Sequence, residues 1–242
     1  MKKNIFLLLI ILFCSTYSWS QSYVDATGAD RFSSTRTLDN FNNLKSIIEE
    51  DVALIENVKG SMYYNEIFQE SIIIFKGNPI NEKAFLRYNS FKDEIEIGKN
   101  SKQKKAINAL KKDLNVEAQI GNELFKAFAL NPKKEDEISY LIQIFSNNDL
   151  RIYLQRSKKF IDKKSAPSGI GGFLPARFDD RNRLFYTSQL ITKPKEIKIN
   201  KKSVMNLFPE KQAELKKFIE TKKIKIKDHN DILYVVENFK PN

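Results

Sequence analysis

Ala84-Phe85-Leu86-Arg87-Tyr88-Asn89 runs through Ser90-Phe91-Lys92 into Asp93-Glu94-Ile95-Glu96-Ile97. On both sides of the polar break, apolar and polar residues alternate. A period of two, interrupted by turn residues, is the pattern of half-buried antiparallel strands joined in a hairpin. A loop over residues 89–92 sets Tyr88 against Asp93, Leu86 against Ile95 and Ala84 against Ile97, which puts the apolar side chains on one face. Arg87 then meets Glu94 on the other face, which Glu96 shares. This reads as an exposed cross-strand charge pair contributing well under about 1 kcal/mol.

The same period recurs downstream. Ile138, Tyr140, Ile142 and Ile144 alternate before Ser146-Asn147-Asn148-Asp149, and Leu150, Ile152 and Leu154 alternate after it. Pairing Ile144 with Ile152 and Ile142 with Leu154 needs an odd-numbered loop, most simply residues 147–149. Residues 71–76, 106–110, 114–120, 124–130, 183–189 and 195–199 are further strand candidates. Lys76-Gly77-Asn78-Pro79 and Asn131-Pro132 read as turns.

After about residue 200 the period becomes helical. Pro209 suits a first helical position, and Phe208, Gln212, Leu215, Phe218 and Ile219 form a stripe. Asp228 followed by Asp231 marks a second helix start, with Ile232, Leu233, Val235, Val236 and Phe239 on its buried side. Upstream, Thr37 caps a short amphipathic helix carrying Leu38, Phe41, Leu44, Ile47 and Ile48, which ends near Asp51.

The expected fold is therefore α+β: a mainly antiparallel β-sheet, or an open β-barrel, of about 8–10 strands with a C-terminal helical pair. Residues 1–20 read as a signal peptide. Residues 21–51 read as a flexible lead-in and short helix, 52–200 as the antiparallel β domain, and 201–242 as a helical tail packed on it. The signal peptide follows from Lys2-Lys3 before nine uninterrupted apolar residues, Ile5 to Phe13, too short a run to span a bilayer. Ser18 and Ser20 are the small residues a signal peptidase requires, which puts cleavage after Ser20 and makes Gln21 the mature N-terminus. The protein is then periplasmic or extracellular, with no transmembrane segment after cleavage.

Composition excludes much chemistry. One Cys and one His in 242 residues cannot build a Cys/His zinc site or an internal disulfide. The only cysteine, Cys14, leaves with the signal peptide. A net charge of +11 invites a nucleic-acid reading, but the 41 basic residues include only eight arginines, the type suited to bidentate phosphate and base recognition. The lysines are spread among acids, as in Lys133-Lys134-Glu135-Asp136-Glu137. No nucleic-acid partner is expected.

Candidate binding residues come from two places. Residues 163–182 form about twenty positions without regular period, and such loops are often functional. Arg177, Arg181 and Arg183 cluster near its end, with Phe173 and Phe178 nearby. They suit either a lid gripping an anion or a surface loop pinned by its two phenylalanines. The glycines of Ser168-Gly169-Ile170-Gly171-Gly172 lack the Lys-Ser or Lys-Thr of a phosphate loop. The second set is Tyr64, Asn65, Arg87 and Tyr88, together with Tyr63 and Asn89, a polar-aromatic group near strand ends. His229 opens the last helix as a cap neighbour. Of the carboxylate groups Asp93/Glu94/Glu96, Glu135/Asp136/Glu137 and Asp179/Asp180, Glu94 and Glu96 read as an exposed strand face and Glu135–Glu137 as a solvated corner after Pro132. No catalytic set, metal site or cofactor is implied.

Three strings also carry a resemblance: Gly60-Ser61-Met62-Tyr63-Tyr64-Asn65 before Glu66-Ile67-Phe68, the Leu86-Arg87-Tyr88-Asn89 hairpin, and Asn206-Leu207-Phe208-Pro209-Glu210 before a Lys-rich helix. Over residues 55–240 the chain resembles a family of uncharacterised exported proteins of Bacteroidota and related flavobacteria. The resemblance implies envelope localisation and brings no catalytic residue. The expected function is an exported, non-catalytic envelope protein with a binding or structural role. Its partner would be an envelope component or a small anionic or hydrophobic ligand. One alternative is a periplasmic carrier holding a lipid or other hydrophobic ligand in a half-open β-barrel, and a second is a hydrolase.

Overall fold

The structure, a computed structural model, describes residues 44–47, 58–80, 82–106, 108–131, 137–165 and 173–240. The signal peptide, its cleavage point, most of the helix expected before Asp51, Glu135, Asp136 and the glycines at 169–172 lie outside the described residues.

The strands are β1 (Lys45–Ile47), β2 (Gln69–Phe75), β3 (Asn78–Pro79), β4 (Ala84–Asn89), β5 (Glu94–Gly98), β6 (Asn108–Leu110), β7 (Val116–Ile120) and β8 (Glu123–Ala129). They continue with β9 (Ile138–Ser146), β10 (Leu150–Gln155), β11 (Lys158–Ile161), β12 (Lys164–Ser165), β13 (Phe173–Leu174), β14 (Arg177–Asp180), β15 (Arg183–Ser188) and β16 (Lys195–Ile197). Twelve of them make one antiparallel sheet in the order β1-β6-β5-β4-β2-β7-β8-β9-β10-β15-β16, with β3 on β2. The mainly antiparallel expectation holds, with more strands than the eight to ten read from sequence, and the sheet is not closed into a barrel. The strands not read from sequence, β1, β3 and β11 to β14, are pieces of two to four residues, too short to show a period. One of them corrects the N-terminal helix: Lys45–Ile47 lies in an edge strand paired with β6.

Both hairpins keep the expected faces, but their registers differ. Leu86 pairs with Ile97, Tyr88 with Ile95 and Arg87 with Glu96, a shift of two residues. The loop is 90–93, because Asn89 Oδ1 accepts from the Phe91 and Lys92 amides at 3.1 Å each. Asp93, at φ +55, closes it in the left-handed region that Asp tolerates. In the second hairpin Leu154 pairs with Ile142 as expected, but Ile152 pairs with Phe145. Asn147 Oδ1 caps a tighter turn by accepting from Leu150 N at 2.7 Å, and a bulge beside Ile144 absorbs the extra residue.

The concave face carries the main core: Ile73, Leu86, Ile95, Val116, Phe125 and Tyr140 are almost free of solvent. Each such aliphatic or aromatic side chain stabilises by roughly 1.5–3 kcal/mol when fully buried. The sheet curls around these residues. Tyr140 N on β9 donates to Asp93 Oδ1 at 3.2 Å, although four strands separate β9 from β5 in the sheet order.

Beyond β16 lie α1 (Lys201–Met205), a 3-10 turn (Pro209–Lys211), α2 (Gln212–Thr221) and α3 (His229–Asn238). Leu215 and Ile219 of α2 and Ile232, Val235 and Val236 of α3 pack on Ile152, Leu184 and Tyr186. The expected helical pair is present, with the short α1 added. Asp228 and Asp231 form the capping box that their spacing predicted.

A candidate binding cleft above a buried ion pair

Residues 58–68 form a strap outside the main sheet. They cross its convex face, where Phe85, Arg87 and Asn89 of β4 point away from the core. The strap is held at three places. Lys59 exchanges backbone hydrogen bonds with β14, donating to Ala176 O at 2.8 Å and accepting from Phe178 N at 3.1 Å. Gly60, at φ +84, turns the chain off this ribbon, a conformation that suits glycine. Met62 O accepts from Ser90 N at 3.0 Å. Finally, the Phe68 ring buries itself against Gly98, where a Cβ would stand 2.8 Å from Phe68 Cδ1. A glycine near a strand end often marks such a close approach.

Beneath the strap, Arg87 and Glu96 pair with their side chains only 5% and 6% exposed. Arg87 Nε and Nη2 donate to Glu96 Oε2 at 3.0 and 2.5 Å. The other carboxylate oxygen, Oε1, accepts from Asn89 Nδ2 at 2.9 Å and from the Tyr63 hydroxyl at 3.0 Å. Arg87 also reaches Glu66 O at 2.9 Å and Lys104 O at 3.2 Å. Its guanidinium lies 3.9 Å from the Tyr63 ring centroid and 4.2 Å from that of Phe68. One cation thus ties the strap, β4, β5 and the β5–β6 loop together. A buried charge is tolerated only when paired and hydrogen-bonded in this way. Burial, and then the Glu96 carboxylate, push the Tyr63 hydroxyl well above its ordinary range, against the pull of Arg87.

Over this network opens a cleft of about 560 Å³. Its apolar lining is Val58, Met62, Ile67, Phe160 and Phe178. Phe178 is fixed by edge contacts with Phe91 and Phe160, at centroid distances of 5.4 and 5.3 Å. Lys102 and Lys104 line it from the β5–β6 loop, which folds on itself: Gln103 Oε1 accepts from Lys99 N at 2.7 Å and Asn100 Oδ1 from Lys102 N at 3.0 Å.

The structure divides the residues singled out in the sequence. Arg87 and Phe178 line the cleft. Tyr88 points to the opposite face, its hydroxyl donating to Asp93 Oδ1 at 2.8 Å. Burial and the Asp93 charge raise that hydroxyl well above its usual range. Tyr64 hydrogen-bonds Asn182 at 2.9 Å, and Asn65 Oδ1 accepts from Ile67 N at 3.0 Å. The aperiodic reading of 163–182 is corrected: β12 pairs with β13, and β14 with β11, which places Phe178 opposite Phe160. The three arginines do not form one grip. Arg177 and Arg181 share Asp179 at 2.8 and 3.6 Å, while Arg183 bonds Gln155 at 2.9 Å and lies 3.7 Å from Glu196. Phe173 is exposed, with Lys163 Nζ 4.5 Å from its ring centroid. The supposed surface pair of Arg87 and Glu94 is corrected to the buried pair of Arg87 and Glu96.

Sequence reasoning missed the covering of the convex face. Its signals were Gly98 at a strand end and the Tyr63 to Phe68 aromatic spacing ahead of β2. Among the described residues, no three His, Cys, Asp or Glu side chains form a metal-holding group. None of the described helices is long and apolar enough to cross a membrane. No protein-family model matches the chain, and neither does any curated protein or solved structure.

Proposed function

We propose that the protein is an exported, non-catalytic binding protein and that the cleft beside the strap is its ligand site. The observation carrying this reading is an open, aromatic-lined hollow of about 560 Å³ on a floor already immobilised by the Arg87–Glu96 network. Small-molecule sites are typically concave, mostly apolar and preformed, about 300–1,000 Å³ in volume. A rigid floor limits the ordering cost of binding. The polar groups under the cleft argue for a structural role rather than catalysis, because Arg87 and Glu96 direct their hydrogen bonds to each other and to the strap. Export rests on the basic start, the short apolar run and Ser18 and Ser20. A carrier with its ligand inside the curled sheet has less support, since Leu86, Ile95, Phe125 and Tyr140 already fill that face.

The test is a titration with N-phenyl-1-naphthylamine, a neutral apolar fluorophore. Saturable binding is expected, weakened by Phe178→Ala and by Ile67→Asn. Ile67 is exposed, so its replacement leaves the fold intact. Absence of saturable binding, or binding indifferent to both changes, contradicts the assignment. Export is tested separately: N-terminal sequencing of envelope-fraction protein should begin at Gln21, and a Met1 start refutes it.

A further inference from the structure

We infer that the ligand of this cleft is a small amphipathic anion, an apolar body ending in one negatively charged group. This inference rests on the cleft being the ligand site and adds the chemistry of the ligand. The charge balance of the lining carries it. The buried cation and anion below, Arg87 and Glu96, neutralise each other. What remains at the lining is Lys102 and Lys104 against a single carboxylate, Glu66. Neither lysine has an ion-pair partner among the described residues. Lys59, also unpaired among them, flanks the cleft between the lining residues Val58 and Gly60.

The placement of these ammonium groups matters as much as their number. Their loop is anchored from below and from within: Lys104 O accepts from Arg87, and Gln103 spans the loop by accepting from Lys99 N and donating to Lys105 O. The backbone that presents the lysines is therefore preorganised while the charged heads stay free. The same lining includes Phe160 and Phe178 with Val58 and Met62, an apolar wall without charge. A ligand satisfying both sides has an aromatic or branched body against the wall and an anion toward the loop. Lysine suits this role, since a point charge on a flexible stem attracts any anionic group without demanding a planar partner.

The test compares two fluorophores of similar body, 8-anilinonaphthalene-1-sulfonate and its neutral relative N-phenyl-1-naphthylamine. Lys102→Ala with Lys104→Ala should raise the Kd of the sulfonate about three- to tenfold, as expected for one or two partly screened charge contacts. The neutral probe should stay within about twofold, because no charge contact is lost. Glu66→Gln should tighten the sulfonate about two- to threefold by removing the opposing charge. Lys216→Ala with Lys217→Ala, exposed on α2, should leave both probes unchanged and so excludes diffuse attraction to the basic surface. If the two probes respond alike to the Lys102 and Lys104 changes, or Glu66→Gln weakens the sulfonate, the anionic class is wrong although the cleft still binds. If neither probe binds, the cleft itself is not the ligand site.

Discussion

Replacing Glu96 by glutamine preserves the shape of the side chain and removes its charge. The introduced amide nitrogen must take the place of one carboxylate oxygen. At the Oε2 position it would face two donors of Arg87, at 3.0 and 2.5 Å. At the Oε1 position it would face Asn89 Nδ2 at 2.9 Å and the Tyr63 hydroxyl at 3.0 Å. The second orientation is the milder one, because the Tyr63 hydroxyl can rotate to accept. Asn89 Nδ2 then keeps only the weak sulfur acceptor of Met62, at 3.3 Å, and the N–H that faced the carboxylate is stranded at about 1–3 kcal/mol. Arg87 also keeps its charge, 5% exposed, with no counter-charge. Breaking one side of a buried pair costs about 3–5 kcal/mol in total. Urea unfolding followed by circular dichroism should show that loss at an unchanged m-value. Arg87→Met should cost a similar amount. The double variant should cost clearly less than the sum of the two, a coupling of about 2 kcal/mol or more. Hydrogen exchange at the Ser90 amide, which donates to Met62 O, should quicken in each single variant as the strap loosens. Single losses under about 1 kcal/mol, adding without coupling, would mean that the pair behaves as an exposed one and the strap does not cover it.

Gly98→Ala should destabilise by about 1–3 kcal/mol, since its methyl would press on the buried Phe68 ring. Phe68→Leu should relieve part of that loss in urea unfolding, and a neutral Gly98→Ala would mean Phe68 is not seated there. Burial holds the Tyr63, Tyr88 and Tyr140 hydroxyls above the ordinary phenol range. A group whose folded pKa is raised stabilises below its unfolded value, near pH 10, and that contribution is lost as pH rises beyond it. Tyrosinate absorbance should accordingly show these three titrating only as the protein unfolds; smooth titration of all tyrosines near pH 10 without loss of circular dichroism contradicts this. Asp228→Ala removes the acceptor for the Asn230 and Asp231 amides, at 2.8 and 3.1 Å. It should cost about 1 kcal/mol, and a loss near zero would show that the capping box contributes nothing.

The faces of the strands were legible because alternation alone decides which side of a sheet faces the core. Leu86, Ile95, Ile142 and Leu154 all lie where the period puts them. Register was less so, because it turns on side chains that cap loops. Asn89 and Asp93 displace one hairpin by two residues, and Asn147 tightens the other until Ile144 bulges. The site was the least legible part. Its convex face looks polar along β4 and β5, which by itself implies water. What covers it is a strap without period, positioned by contacts between residues far apart in sequence: Tyr63 and Phe68 around Arg87, Lys59 against Phe178. Arg177, Arg181 and Arg183 misled for the opposite reason. They are close in sequence, yet Arg177 and Arg181 turn back on Asp179 while Arg183 turns away to Gln155 and Glu196.

The most direct test of the cleft assignment is an amide chemical-shift map of the isotopically labelled protein titrated with 8-anilinonaphthalene-1-sulfonate. The expected perturbations gather at residues 58–67 and 101–104 and at Phe160 and Phe178, the walls of one hollow. Perturbations centred on Ile73, Val116 and Phe125 inside the curled sheet, or on Lys216 and Lys217 of α2, would contradict it.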